Sequence, residues 1–285
     1  MSLRLFTPVL ALALLAGCRT LPSPPATSVP ANDNLNAVAW SQTAIEHDLI
    51  YLQTYRDAQS RLLAALHDPD WDALASDDRA VPAKGLPPAV VLDIDETVLY
   101  NSPYQARVVR SGGEFNEDDW RAWCREGKAR ALPGAQAFTR FAASHGIAVV
   151  YISNRATVLD QATLANLRKV GLPVSGPDAL LGLGTVVPGC AQHGSSKHCR
   201  RRMLSAKYRV LMQIGDQIGD FVDVAENSGA GRTQAMAPYQ QWIGERWFVL
   251  PNPTYGSWEP ALFHNDYQAT PQQRRRLKID ALRYE

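Results

Sequence analysis

The chain has 285 residues, of which 46% are hydrophobic and 20% are charged, and 29 basic against 28 acidic residues leave a formal net charge of +1. This composition is typical of a globular protein and excludes a disordered or collagen-like chain, and the single apolar stretch near the N-terminus excludes a polytopic membrane protein. A net charge so close to zero provides no long-range field that would attract a nucleic-acid polymer.

The first predicted element is a signal peptide. A basic N-terminus precedes an apolar run over 5–16, which is shorter than the roughly 20 residues that a membrane-spanning helix needs. The run ends in Leu-Ala-Gly-Cys at 15–18, which resembles the bacterial lipobox, whose cysteine is lipidated after cleavage. We therefore predict removal of residues 1–17 and attachment to the membrane through a lipid on Cys18.

Two further features concern this anchor. Arg19 follows the cysteine, where an aspartate would favour the inner membrane, so we expect the outer membrane, with the protein facing the periplasm. Proline, threonine, serine and asparagine dominate the next residues, which predicts a flexible linker over 18–36. The alternative is an ordinary cleaved signal peptide with an unrelated cysteine.

The folded part is predicted to alternate helices with short apolar strands. Apolar residues three or four apart between 35 and 67 predict a long amphipathic helix or a helix pair. The next segments predict strands at 89–92, 147–152, 210–214 and 247–250, and helices at 133–145, 157–170, 195–207, 232–243 and 271–285. Fully apolar strands alternating with helices predict an α/β fold with a parallel sheet covered on both faces, which binds ligands at the carboxyl ends of its strands.

Polar side chains stand at the ends of three of these strands, and we expect them to converge on one crevice. They are Asp93, Asp95 and Thr97 after the first, Ser153, Asn154 and Arg155 after the second, and Asp216 and Asp220 after the third.

These residues indicate metal-assisted phosphoryl chemistry. In an extended segment Asp93 and Asp95 would face the same side, and with Asp216 they would form a cluster of like charge that is costly without a cation. Carboxylate oxygens suit Mg²⁺. One carboxylate can act as a covalent nucleophile and the second as a general acid and base, while a lysine of the basic helix would neutralise phosphoryl charge.

The order Asp-x-Asp-x-Thr, then Ser, then Lys, then Gly-Asp-x-x-x-Asp resembles the haloacid dehalogenase (HAD) superfamily. More narrowly, the stretches at 93–104, 153–155, 215–221 and 250–259 resemble the class C bacterial acid phosphatases, which are outer-membrane lipoproteins of the 5'-nucleotidase type. The resemblance covers about 35–285. It implies a HAD-like domain over 37–285, with a doubly wound parallel sheet and a small, mostly helical cap contributed by about 37–80 and 100–130.

The resemblance also implies the metal ligands and the acid–base groups. Asp93 is the expected nucleophile and a metal ligand. Asp95 is the expected general acid and base, and it would bind the metal through its backbone carbonyl. Asp216 would be the second side-chain ligand, and Asp220 would hold metal-bound water. One departure lies here, because Gln217 stands where asparagine is usual.

The remaining implied roles concern phosphate and substrate. Thr97 and Ser153 would fix the geometry of the phosphate, and Lys197 would bind it, although Lys207 competes for that role. The residues expected at the organic part of the substrate are Asn154, Arg155, Trp120 and Tyr255, with the two aromatic rings against a nucleoside base.

Three cysteines follow Cys18, and an exported chain permits a disulfide. Three pairings are possible; Cys190 and Cys199 bracket a short Gly/Ser loop, which favours that pair, but all three could be free. Cys124 and Arg130 match the Cys-x₅-Arg loop of cysteine-dependent phosphatases, but no buried strand precedes them, so we reject that reading.

The sequence thus predicts an acid phosphatase with one Mg²⁺ per site that hydrolyses small phosphomonoesters, nucleoside monophosphates among them, through an aspartyl-phosphate. A homodimer is suggested by the resemblance alone. Two alternatives stay open: a non-catalytic lipoprotein that binds nucleotides or a partner, and a phosphotransferase that passes the aspartyl-phosphate to an alcohol.

Overall fold

The computed structural model describes residues 31–285. The predicted signal peptide at 1–17, the lipidation site at Cys18 and the linker up to residue 30 lie outside the described residues. The first helix begins at Leu35, so the last two residues of the predicted linker are helical. Between residues 31 and 285, every helix is too short or too polar to cross a membrane.

Strands and helices alternate along most of the described chain. The strands are β1 (Pro88–Leu92), β2 (Leu99–Tyr100), β3 (Arg130–Ala131), β4 (Ala148–Ala156), β5 (Leu180–Leu183), β6 (Arg209–Gly215) and β7 (Trp247–Val249). The helices are α1 (Leu35–Thr43), α2 (Ile45–His67), α3 (Ser102–Ser111), α4 (Glu117–Glu126), α5 (Ala135–Ser144), α6 (Asp160–Lys169), α7 (His198–Ser205), α8 (Gly229–Met236), α9 (Trp258–Ala261) and α10 (Pro271–Asp280).

Five parallel strands form the central sheet in the order β5-β4-β1-β6-β7. The chain moves from β1 outward to β4 and β5, and then crosses to β6 and β7 on the other side of β1. This is the doubly wound arrangement that the sequence predicts. Because β4, β1 and β6 are neighbours, their carboxyl ends lie side by side, where such sheets bind ligands.

Helices cover both faces of the sheet, as predicted. Alternate residues of β1 enter two different cores, because successive side chains of a strand point to opposite faces. Val90 and Leu92 pack in the core that includes α2 and α5, whereas Ala89 and Val91 pack in the core that includes α7 and Trp247. Valines suit such a strand because their branched side chains fit a pleated surface.

Helix α2 is part of the layer that covers the sheet. Its buried residues recur at a spacing of three or four and form a stripe of Tyr51, Tyr55, Ala58, Leu62 and Ala65. That stripe joins the core on β1, and α2 packs against α5, β6 and β7. Much of the range 37–80, expected in a cap, therefore lies against the sheet. The 100–130 range instead forms α3 and α4, between the antiparallel strands β2 and β3.

Several elements differ from their predicted bounds or were not predicted. Strand β4 continues through Ala156, so the polar residues that follow Ile152 lie in the strand, where pairing with β5 is interrupted until Ala156. Helix α7 begins at His198, which places Lys197 just before it. Strands β2, β3 and β5 span only two to four residues, too few for a periodic pattern to show.

Candidate active site

Three carboxylates meet at the carboxyl ends of β1 and β6. Asp93 directly follows β1, Asp216 follows β6, and Asp220 lies in the short 3₁₀ turn after it. One carboxylate oxygen from each lies within 4.8 Å of the others. The backbone N–H of Asp93 donates to the carbonyl of Ile214 at 2.9 Å, so the sheet ladder itself fixes the distance between the two strand ends.

Lys197 reaches into this cluster from the segment before α7. Its ammonium donates to the carboxylates of Asp93 and of Asp220, the latter at 2.7 Å, and to the carbonyl of Ile152 at 2.7 Å. Its side chain is 4% exposed. Lys207 instead pairs with Asp178 near the surface, so of the two candidate lysines the structure brings Lys197 to the site.

The cluster carries more negative charge than its lysine balances. Burial raises the pKa of Asp216 to about 7, and the nearby Asp220 adds to the shift. Burial also raises the pKa of Asp93, against the lowering effect of Lys197. Burial lowers the pKa of Lys197, but Asp220 and Asp93 outweigh that effect and leave it raised. Excess negative charge among oxygen ligands is the environment that a divalent cation fits, so the residues present suit Mg²⁺.

Amide and hydroxyl groups orient the Asp216 carboxylate. Its Oδ2 accepts hydrogen bonds from the side-chain amides of Gln217 at 2.9 Å and Asn252 at 2.8 Å. Its Oδ1 lies 3.4 Å from the hydroxyl of Thr97, which is fully buried. Asn252 was not predicted as a site residue, and its only signal is its place in the 250–259 stretch.

Asp95 does not join the carboxylate cluster, contrary to the expectation from an extended segment. The strand ends at Leu92, and the chain then turns through Glu96, which has a left-handed φ of 54°. The Asp95 carboxylate accepts from Arg155, with Nη2 at 2.7 Å and Nε at 3.0 Å, and from the amide of Asn101 at 2.8 Å. Its side chain therefore faces a separate part of the site.

The three polar residues after Ile152 lie in different environments. Arg155 is 1% exposed and lies against Asp95, rather than free in a cleft as a substrate-binding role would suggest. Ser153 is fully buried, and its hydroxyl accepts from the backbone N–H of Arg155 at 3.1 Å. Asn154 is exposed, and its carbonyl oxygen accepts from Arg200 at 2.7 Å.

Arg200 is a buried residue that sequence reasoning missed. Its guanidinium donates to the carbonyls of Ser153 and Ser196, at 2.5 and 2.9 Å. It thus joins the end of β4 to the segment that carries Lys197. The only feature of the sequence that pointed to Arg200 was its position in a predicted basic helix, and the basic residues of such a helix are more often exposed to solvent than buried.

Glu96 is a third residue that the sequence analysis missed, and it links Tyr255 to the site. Its carboxylate accepts from the backbone N–H of Asn101 at 2.8 Å and from the hydroxyl of Tyr255. Burial raises its pKa to about 8, and the adjacent Asp95 contributes. The ring of Trp120 instead lies 5.4 Å from the Arg155 guanidinium.

The cysteines divide as the spacing suggests. Cys190 and Cys199 form a disulfide in the structure, and the second of them lies two residues after Lys197. Cys124 lies inside α4, buried and without a disulfide partner among residues 31–285. Burial raises the pKa of its thiol to about 12, so it is not a thiolate near neutral pH, which agrees with rejecting the Cys-x₅-Arg reading.

A family model and two solved structures that resemble this chain all belong to acid phosphatases. The family model described as HAD superfamily, subfamily IIIB (Acid phosphatase), matches residues 31–258. A class C acid phosphatase from Bacillus anthracis is 32% identical, with a TM-score of 0.75 over 88% of this chain and 97% of that one. A second structure, of the Bacillus anthracis class C acid phosphatase with tungstate bound, gives a TM-score of 0.76 at the same identity and coverage.

Two plant proteins are more distant relatives. The stem 31 kDa glycoprotein of Glycine max is 30% identical over 165 residues, and the stem 28 kDa glycoprotein of the same plant is 28% identical over 166. The matched region is 58% of this chain and 58% of the length of each glycoprotein.

Proposed function

Because the chain belongs to subfamily IIIB of the HAD superfamily, the acid phosphatases, we propose that it hydrolyses phosphomonoesters at the carboxyl ends of β1, β4 and β6. The observation that carries the proposal is the meeting of Asp93, Asp216 and Asp220 with the buried ammonium of Lys197. A related structure was solved with tungstate, a tetrahedral oxyanion of the same shape class as phosphate, which supports an oxyanion site here.

We propose that Asp93 is the nucleophile. One of its carboxylate oxygens attacks phosphorus, the phosphorus–oxygen bond to the leaving alcohol breaks, and Asp95 gives that alcohol its proton. A water molecule then gives a proton to Asp95 and attacks phosphorus, which releases phosphate and restores Asp93. Because Asp95 must carry a proton when the alcohol leaves, we expect the highest activity at acidic pH.

Other side chains hold the phosphoryl group during these steps. Lys197 supplies positive charge beside Asp93, and the hydroxyl of Ser153, which accepts from the Arg155 N–H, has its own proton available for a phosphoryl oxygen. Asp93, Asp216 and the backbone carbonyl of Asp95 would hold Mg²⁺, with Asp220 through water. When bound, the ion neutralises charge on the carboxylates and on the phosphoryl oxygens.

Nucleoside monophosphates are the substrate class that the surrounding side chains favour. Trp120 and Tyr255 are half-buried aromatic residues. Tyr255 contacts Glu96, and Trp120 lies against Arg155, which binds Asp95. Flat apolar rings beside a phosphate site suit a purine or pyrimidine base. Lipid anchoring through Cys18, an outer-membrane location and a homodimer stay predictions that rest on the sequence and the resemblance.

Hydrolysis of p-nitrophenyl phosphate by the purified protein tests the proposal. We expect Asp93→Asn to abolish turnover, because an amide is not a nucleophile here, and EDTA to abolish it until excess MgCl₂ is added. Cys124→Ser is the matched control and should keep wild-type activity. Turnover that survives Asp93→Asn but not Cys124→Ser would overturn the assignment of Asp93 as the nucleophile.

The same protein separates the two alternatives. A wild-type chain that binds nucleoside monophosphates by calorimetry but hydrolyses no phosphomonoester is a binding lipoprotein. Transfer of phosphate to glycerol, added in excess as an acceptor, identifies a phosphotransferase, because the aspartyl-phosphate then reacts with an alcohol instead of water.

A further inference from the structure

The side-chain amide of Gln217 connects the proposed metal site to the loop that carries Tyr255. Its Nε2 lies 2.9 Å from Oδ2 of Asp216 and 3.3 Å from the backbone carbonyl of Tyr255. The two NH₂ protons are enough to donate to both oxygens at once. One amide therefore contacts a proposed metal ligand and the backbone of a proposed substrate-binding residue.

Gly256 makes room for this amide. A Cβ at Gly256 would lie 2.2 to 2.4 Å from the amide atoms of Gln217, so the amide would have to move from its present position. The φ of Gly256 is 140°, a conformation that other residues rarely adopt. The turn after Tyr255 is thus shaped around the Gln217 side chain.

The loop over 250–258, called here the Tyr255 loop, is tied to the site at two further points. Asn252 donates to the same Oδ2 of Asp216 at 2.8 Å, and its own carbonyl oxygen accepts from the backbone N–H of Thr254 at 2.9 Å. At the other end, the hydroxyl of Tyr255 donates to Glu96. The Tyr255 loop is therefore held by the turn after β6 and by the turn after β1.

The amide contacts also determine which oxygen of Asp216 is available. Oδ2 accepts two amide hydrogen bonds, whereas the contact that the structure gives Oδ1 within the described residues is the long one to Thr97, at 3.4 Å. A carboxylate held at one oxygen presents the other in a fixed direction. A cation that binds Oδ1 therefore acts on a group already tied to the Tyr255 loop.

We propose that Gln217 is a positioning residue that couples cation binding at Asp216 to the order of the Tyr255 loop. This inference rests on the proposed function for the assignment of the cation site. Fixing Asp216 lowers the entropy cost of ordering the loop that is bonded to it, and by linkage an ordered loop raises the affinity for the cation. In this way metal occupancy prepares Tyr255 for the organic part of the substrate.

Gln217→Met tests the inference, because methionine has nearly the same length but no N–H donor. Gln136→Met is the matched control: Gln136 is also half-buried and also donates its amide to a backbone carbonyl, that of Val170 at 2.8 Å, but it lies in α5, outside the site. We expect Gln217→Met to weaken Mg²⁺ binding about fivefold in calorimetry without substrate, because the amide contacts that hold the Asp216 carboxylate in place are lost. Gln136→Met should bind Mg²⁺ as wild type does.

Hydrogen exchange measured by mass spectrometry supplies the second readout. Mg²⁺ should slow exchange of the amides over 252–258 in the wild type and in Gln136→Met, and slow it much less in Gln217→Met. Equal Mg²⁺ affinity, or equal Mg²⁺-induced protection of this segment, in wild type and Gln217→Met overturns the coupling. If Gln217→Met melts much earlier than Gln136→Met, Gln217→Ala is measured in its place with the same criteria.

Neither readout needs turnover, so the outcome is separable from that of the proposed function. A wild-type protein that hydrolyses no phosphomonoester but shows Mg²⁺-dependent protection lost in Gln217→Met overturns the activity and supports the coupling. An active wild type whose Tyr255 loop is protected by Mg²⁺ equally with and without the Gln217 amide supports the proposed activity and overturns the coupling.

Discussion

Arg155 places a full positive charge against Asp95 in a position from which almost all water is excluded. Two nitrogens of its planar guanidinium contact the carboxylate, a geometry that fixes orientation as well as charge. The same guanidinium lies against Trp120 of α4. The proposed general acid is thus held by a side chain from the neighbouring strand, and the same side chain contacts Asn101 and Trp120 of the 100–130 region.

Arg155→Lys separates this role from substrate binding. Lysine keeps the charge but loses the two-nitrogen contact, so we expect kcat to fall roughly tenfold or more while KM stays within about twofold, because a group that acts through Asp95 affects the transition state and not substrate affinity. Steady-state kinetics on one nucleoside monophosphate and on p-nitrophenyl phosphate provide the measurement. A large rise in KM with kcat unchanged would instead support the original substrate-binding assignment.

The start of α7 is the element that delivers Lys197, and it is anchored from several directions. The disulfide ties Cys199 to the preceding loop, and the buried Asp78 pairs with His198 at 2.7 Å and with Arg201 at 2.6 Å. Arg200 holds the same turn to the end of β4. A buried ammonium needs such support, because a small displacement would leave it without its carboxylate partners.

Removing the disulfide tests how much of this support is covalent. The bond joins residues nine apart in the sequence, and closing a loop of this size constrains the unfolded chain by roughly 2–3 kcal/mol. We therefore expect the Cys190→Ser/Cys199→Ser double variant to unfold at lower temperature by several degrees, measured by calorimetry. Dithiothreitol should lower the melting temperature of the wild type and leave the double variant unchanged; an equal effect on both would contradict this account.

The molecule as a whole has a net charge near zero, but its acidic groups are concentrated at the carboxyl ends of the central strands. Glu96 is buried and Asp216 is half-buried, and their pKa values rise from 4.5 to about 8 and from 3.8 to about 7, mainly because loss of solvation disfavours the charged form. Both groups therefore bind a proton more tightly in the folded chain than in the unfolded one. Their contribution to stability is full below about pH 4 and is lost as the pH rises through 7 to 8.

The metal-free protein should consequently be more stable at pH 5 than at pH 8, by an amount on the order of a few kcal/mol. Melting temperatures of the EDTA-treated protein across this range check the direction. Glu96→Gln should flatten the decline, because the glutamine stays neutral, and added Mg²⁺ should stabilise more at pH 8, where Asp216 is ionised. A melting temperature that rises from pH 5 to pH 8 without metal would contradict the raised pKa values of Glu96 and Asp216.

The sequence was sufficient to predict four of the five strands of the central sheet, their parallel arrangement and the three polar strand ends. These are local signals: a buried strand is a short apolar run, and the first residue that breaks it is the one that meets the ligand. Asp93, Ser153 and Asp216 could be identified in this way. The family motifs then added Lys197, although its choice over Lys207 needed the structure, where only one of the two reaches the carboxylates.

The contacts that orient these groups could not be read from the sequence. Arg155 lies 60 residues from the Asp95 that it holds, Asn252 lies 36 from Asp216, and Gln217 lies 38 from Tyr255. Such partners are chosen when helices and loops pack on the sheet, and an arginine, an asparagine or a glutamine carries no periodic pattern that indicates which distant group it will meet. Local periodicity thus specifies which residues lie at the site, and the packing of segments distant in the sequence determines how each side chain is oriented.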